Sequence, residues 1–152
     1  MPLKLIPRVL SPELIYVLAR MGHGDTIVFG DANFPSTSVS KAGPEIVRAD
    51  GMDIPTLLKA TLKLFPLDTY VAAPVGLMQI VPGDIEKGLK TPVWDDYRKI
   101  VKEAEGVEVN FEKIERFDFY KRAKNAFAIV ATGEQALYGN IILTKGAIPP
   151  DA

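Results

Sequence analysis

Histidine occurs once in the 152 residues, as His23, within the stretch 21–34 (MGHGDTIVFGDANF). An imidazole, with an ordinary pKa of about 6.5, can both take and give a proton near neutrality, so a histidine framed by Gly22 and Gly24 is a candidate acid/base. The competing reading is a structural or solvated residue at a helix end, and spacing alone does not choose between them. Asp31 follows eight residues later. Asp25 and Asp31 could form a carboxylate pair for glycoside hydrolysis, but nothing in the sequence fixes their separation, and solvated turn acids are the simpler reading.

Four further positions carry polar chemistry. Arg116 could bind a ligand's hydroxyls or negative groups through its planar fork, although read alone it fits a surface pair with Glu115 or Asp118 better. Tyr138 and Asn140 flank Gly139, where a phenol and an amide could surround a bend open to a ligand; the plain alternative is a turn into the last strand. Tyr120 and Trp94 lie at helical spacing and read as core, with Tyr120 a possible phenol in a site.

Other chemistries lack their residues. The chain has no cysteine, which removes disulfides, thiolate nucleophiles and cysteine metal sites, and one histidine cannot build the usual zinc ligand sets within one chain. No metal or cofactor is expected. Gly22-His23-Gly24 follows a helix pattern and precedes a strand pattern, the reverse of a dinucleotide loop, and the P-loop lysine is missing. No G-x-S-x-G elbow occurs. Eighteen basic against nineteen acidic residues leave a net charge of -1 without a basic stripe, so a nucleic acid is not an expected partner. The longest apolar run, residues 71–82, is too short and interrupted to span a bilayer. These features read as a soluble, cytoplasmic protein.

The elements that must position these groups follow from the pattern. Ser11-Pro12-Glu13 starts a helix whose Leu14, Val17, Leu18 and Met21 repeat at helical spacing, with Gly22 as its left-handed stop. Residues 26–29 (TIVF) suit a central buried strand, which leaves Asp31 just past a carboxyl end, where ligands of open α/β sheets usually bind. A loop over 33–44, a strand over 45–49 (EIVRA) and a helix capped by Asp53 follow, the helix carrying the stripe Leu57, Leu58, Thr61, Leu62 and Phe65. Residues 72–81 read as a strand, with Pro74 and Gly76 marking an edge or a bulge. Thr91-Pro92 opens a helix that runs to Gly106. A half-buried strand over 107–114, a short helix over 116–124 and strands over 126–131 and 141–143 complete the chain. Strands and helices are interleaved, so residues 1–152 are expected to form a single layered α/β domain, a mixed sheet covered by helices.

The segments MGHGD (21–25), Asp31 with Phe34-Pro35, IVRADG (46–51), ERFDFYKRAKNAFAIVATGE (115–134) and LYGN (137–140) resemble, in order and over nearly the whole chain, the fucose mutarotase family, related to the bacterial ribose pyranases. The likeness is greatest to its animal branch. It implies a ribose pyranase-like α/β fold and a cofactor-independent isomerase that interconverts the α and β anomers of L-fucose, with pyranose and furanose forms of ribose as a further option. It also implies a homo-oligomer with sites near subunit boundaries. Carried over by position, the catalytic histidine falls on His23, and the sugar-binding residues on Asp31, Arg116, Tyr138, Gly139 and Asn140. The chain departs from some bacterial members at Asn33, where they have a histidine, so only hydrogen bonding remains there.

Mutarotation needs only a base and an acid near neutral pKa, which one histidine with a tyrosine phenol or a water can supply. The rival reading is a non-catalytic monosaccharide-binding module. One spatial problem stands: four extended residues between His23 and Asp31 would separate them by roughly 13 Å. Either the turns fold both inward, or the two meet in one site across a subunit boundary.

Overall fold

The computed structural model describes residues 2–152. Strand β1 (Thr26–Gly30) runs through the middle of a six-stranded sheet of order β2-β5-β1-β6-β3-β4. The other strands are β2 (Glu45–Ala49), β3 (Val75–Met78), β4 (Phe111–Ile114), β5 (Ala128–Thr132) and β6 (Ile141–Thr144). β2, β5 and β1 are mutually parallel, β6 runs antiparallel to both β1 and β3, and β3 pairs parallel with β4. The sheet is therefore mixed, as the sequence pattern predicts.

Alternation along β1 explains why it is apolar on both sides. Ile27 and Phe29 enter one core with Leu14, Leu57, Leu58, Trp94, Tyr97 and Val101, supplied by helices α1 (Pro12–Arg20), α3 (Ile54–Thr61) and α5 (Pro92–Glu105). Val28 enters a second core with Val39 of α2 (Ser36–Ser40) and with Phe119 and Ala123 of α6 (Arg116–Lys124). Helices thus cover both faces, and burying each large aliphatic or aromatic side chain contributes about 1.5–3 kcal/mol. A short helix, α4 (Pro82–Glu86), follows β3.

Three helix starts are set by side chains, whereas Thr91 before α5 makes no side-chain cap bond and leaves that start to Pro92. Ser11 Oγ accepts from Leu14 N at 3.1 Å, and Asp53 Oδ1 from Thr56 N at 2.8 Å. Glu115 caps α6 through Phe117 N and Asp118 N, at 2.8 and 3.0 Å.

Several boundaries differ from expectation. α1 ends at Arg20 with Met21 extended, and the left-handed residue is Gly24, not Gly22, because the chain turns through His23 before pairing with β6. The strand expected over 72–81 shrinks to Val75–Met78 and is interior, neither an edge nor a bulge: Pro74 precedes it, accepting from Thr144 N at 2.9 Å. Gly76 makes room for Ile114, whose Cδ1 would lie 2.6 Å from an added Cβ. The strand expected over 107–114 keeps only Phe111–Ile114, since its sole neighbour, β3, offers four residues to pair with. Two short helices go beyond the pattern, α2 inside the segment expected as a loop and α4 where no element is expected. α2 has the poor helix formers STSVS and exists through burial of Ser36 and Val39, while α4 begins at Pro82 beyond the shortened β3.

Candidate functional site

Asp31 leaves the carboxyl end of β1 and is 5% exposed. Its Oδ2 accepts from Gly139 N at 3.2 Å and its Oδ1 from Asn33 N at 3.0 Å. Its own N–H donates to Asn140 Oδ1 at 2.7 Å. Sequence separations of more than 100 residues are bridged here because β6 pairs with β1, which brings the bend before β6 against the end of β1. Burial pushes the Asp31 carboxyl above its ordinary range, and the N–H bonds from Asn33 and Gly139 pull it back only in part.

Tyr138 is one of two non-glycine residues with a positive φ among the described residues, at 57°. Its phenol donates to Asp84 Oδ2 at 2.5 Å and accepts from Val81 N at 3.3 Å. Burial and then the Asp84 bond push the phenol upward in pKa. The hydroxyl is therefore committed to α4 rather than held free as an acid. Arg116, at the start of α6, does not pair with Glu115 or Asp118, and makes no ion pair among the described residues. Glu115 is occupied as the cap, and the guanidinium lies 4.6 Å from the centroid of the Phe117 ring. Arg116 lines a cavity of about 290 Å³ with Gln79, Val81, Pro82 and Ile85. Tyr120 is half-buried, its ring 5.8 Å from Phe34 and 6.2 Å from Phe117.

His23 stands at the other end of β1. Its Nε2 lies 2.9 Å from Asp68 Oδ1, and its ring packs 5.2 Å from that of Tyr70. The imidazole side chain is 45% exposed, whereas the Asp68 side chain is 4% exposed. The N–H of Tyr70 and then His23 hold the Asp68 carboxyl below its ordinary range. Asp68 reaches this place through its N–H to Thr144 O at 3.0 Å, beside the last residue of β6.

The chain thus gathers Asp31, Gly139 and Asn140 by direct hydrogen bonds, with Tyr138 beside them in the same bend and Arg116 and Tyr120 presented by α6. It does not bring His23 to them: the turns do not fold both groups inward, and the five residues of β1 lie between, roughly 16 Å of extended chain. Sequence reasoning missed Asp68, Tyr70 and Asp84. Their partners lie 45 and 54 residues away for Asp68 and Asp84, and no local periodicity signals such a contact. Among the described residues, no group of three or more His, Cys, Asp or Glu could hold a metal ion.

Residues 4–148 match the model of the RbsD / FucU transport protein family. The chain belongs to this family. A fucose mutarotase from Danio rerio is 61% identical over 149 residues, covering 98% of this chain and 96% of the relative. Among solved RbsD / FucU structures, FucU from Bifidobacterium longum superposes with a TM-score of 0.88 at 47% identity, covering 95% of this chain and all of the other. The fucose mutarotase of Streptococcus pneumoniae, solved in complex with L-fucose, has a TM-score of 0.86 at 43% identity, covering 97% of this chain and all of the other. The RbsD / FucU fold is thus that of the mixed sheet described above.

Proposed function

We propose that the chain is a cofactor-independent isomerase that interconverts the α and β anomers of L-fucose. The observation that carries this reading is the likeness, over 97% of the chain, to a fucose mutarotase solved with L-fucose, together with the hydrogen-bonded cluster of Asp31, Gly139 and Asn140. In the reaction, a proton leaves the anomeric hydroxyl and one reaches the ring oxygen. The ring C–O bond breaks as the carbonyl forms, and the ring closes on the other carbonyl face. His23 shuttles the proton, its ring oriented by Asp68. Asp31, Arg116, Tyr138, Gly139 and Asn140 hold the sugar, with Tyr120 as a further contact. A neutral sugar suits a chain of net charge -1.

The separation of His23 from Asp31 supports a site completed by a second copy of the chain. Exposed apolar residues flank both halves: Tyr70 (81%) beside His23, and Ile85 (52%), Phe117 (59%) and Leu137 (51%) beside the Asp31 cluster. A homo-oligomer that joins these surfaces would unite the two halves and exclude water from them. A cytoplasmic location suits a chain without cysteines in which, among the described residues, no helix is long and apolar enough to cross a membrane.

The test is saturation transfer between the anomeric protons of L-fucose in NMR, with and without protein. Accelerated exchange is expected. Binding without acceleration would instead make the protein a monosaccharide-binding module, and faster pyranose–furanose exchange of ribose than anomer exchange of fucose would reassign the sugar.

A further inference from the structure

The bend at 138–140 is held from behind by α5. Trp94 Nε1–H donates to Tyr138 O at 2.8 Å, and the Tyr97 hydroxyl donates to Gly139 O at 2.6 Å. Tyr138 O and Gly139 N belong to the same peptide unit, and that N–H is the one donated to Asp31 Oδ2. A peptide unit is planar, so fixing its carbonyl fixes the direction of its N–H. The left-handed Tyr138 backbone gives the bend a reason to need fixing, because a side-chain-bearing residue at φ 57° has easier conformations to relax into.

We propose that Trp94 is a positioning residue for the Asp31 carboxylate, acting through the Tyr138–Gly139 peptide, with Tyr97 locking the peptide that follows. This rests on the sugar-binding role given to Asp31 above. Both donors are buried, Trp94 at 5% and Tyr97 at 0% exposure, so no water takes their place at the carbonyls. The indole also lies under Lys113, whose Nζ is 5.3 Å from its centroid. Gly139 leaves no slack: an added Cβ would stand 3.0 Å from Ala136 O and 3.4 Å from the Tyr97 hydroxyl. Arranged this way, α5 would contribute to sugar binding without touching sugar.

The consequence for Asp31 has a definite sign. Burial and the field of Glu134 raise its pKa, and the Gly139 N–H opposes them. When the peptide is free to turn, that opposition weakens and Asp31 protonates at higher pH. Trp94→Phe keeps an aromatic ring and removes the donor. For this variant, KM for L-fucose should rise roughly tenfold, the effect of weakening one hydrogen bond to a charged group. The kcat should stay nearly constant, and the acid limb of kcat/KM should move to higher pH. Independently of activity, the ¹³Cγ titration of Asp31, assigned with Asp31→Asn, should move the same way. Tyr97→Phe should act in the same direction with a smaller shift. A folded Trp94→Phe protein with unchanged KM and unchanged Asp31 titration overturns the proposal. If Trp94→Phe does not fold, Tyr97→Phe decides on the same two readouts. If the wild type does not speed anomer exchange but the Asp31 titration shifts, the functional reading fails and the positioning role stands.

Discussion

At the carboxyl end of β1, Asp31 is buried, both carboxylate oxygens meet backbone N–H groups, and its own N–H is paired with Asn140. At the amino end, His23 is nearly half exposed and held by one carboxylate and one ring. The first end is assembled by the sheet itself, since β6 brings residues 138–140 against β1. The second is carried on a turn pinned by Gly24 N to Lys145 O at 2.8 Å and presented outward. Rigid, prepaired groups suit holding a ligand in register. An exposed imidazole on a supporting carboxylate suits meeting a ligand that another surface delivers.

The division of labour can be broken most severely at His23. His23→Ala should lower the exchange rate by 10²–10⁴-fold, the usual contribution of a positioned acid/base, while L-fucose still binds. Asp31→Ala should instead lose binding. If each site takes one half from each of two copies, mixing the two inactive variants under conditions that let subunits exchange should regenerate about a quarter of the wild-type sites. No recovery on mixing, with exchange verified by mass, would place both halves in one chain's own site by some rearrangement.

A smaller effect is expected at Asp68. Asp68→Asn removes the charged acceptor beside His23, and kcat should fall roughly tenfold with KM little changed, as befits loss of one charge-assisted bond. The two acids should also titrate in opposite directions from the ordinary 3.8: Asp31 above it, through burial, and Asp68 below it, through the Tyr70 N–H and then His23. Asp31 thus favours the fold most when protonated, and its contribution is lost as pH rises through its raised folded value. The Asp68 contribution is present above 3.8 and lost as pH falls through its depressed folded value. Residue-resolved ¹³C titration checks both directions, and two carboxyls shifted the same way would contradict the contrast.

The same contrast explains what was legible in the sequence. β1 announced itself because TIVF is apolar on both faces, α1 and α3 because their caps and stripes are local, α5 because Pro92 and Gly106 bound it, and α6 because Phe117, Tyr120 and Lys121 fall at helical spacing. Asp31 could be placed at a carboxyl edge by counting. What was not legible is whatever depends on sheet order: Asp68 meets His23 only because both lie beside the end of β6, and Asp84 meets Tyr138 only because α4 folds against the bend before that strand. Arg116 read as a surface pair because Glu115 and Asp118 are its neighbours, and the capping role of Glu115 that frees it is a matter of backbone geometry.

The smallest predicted effect concerns the turn that carries His23. Gly24 has φ 88° and open space where a Cβ would stand, whereas Gly139 is crowded by Ala136 O and Glu134 Cγ. Gly24→Ala should therefore cost only the backbone penalty of a left-handed residue, about 1–2 kcal/mol. For a chain of this size that lowers the melting temperature by ~2–8 °C. Because nothing packs against the new methyl and the Gly24 N–H bond to Lys145 O can persist, the exchange rate per folded molecule should change little. A thermal melt and a saturation-transfer rate on the same sample separate the two quantities. A large loss of rate at unchanged melting temperature would mean that the His23 turn is as tightly constrained as the Asp31 bend, by a surface that a single chain does not supply.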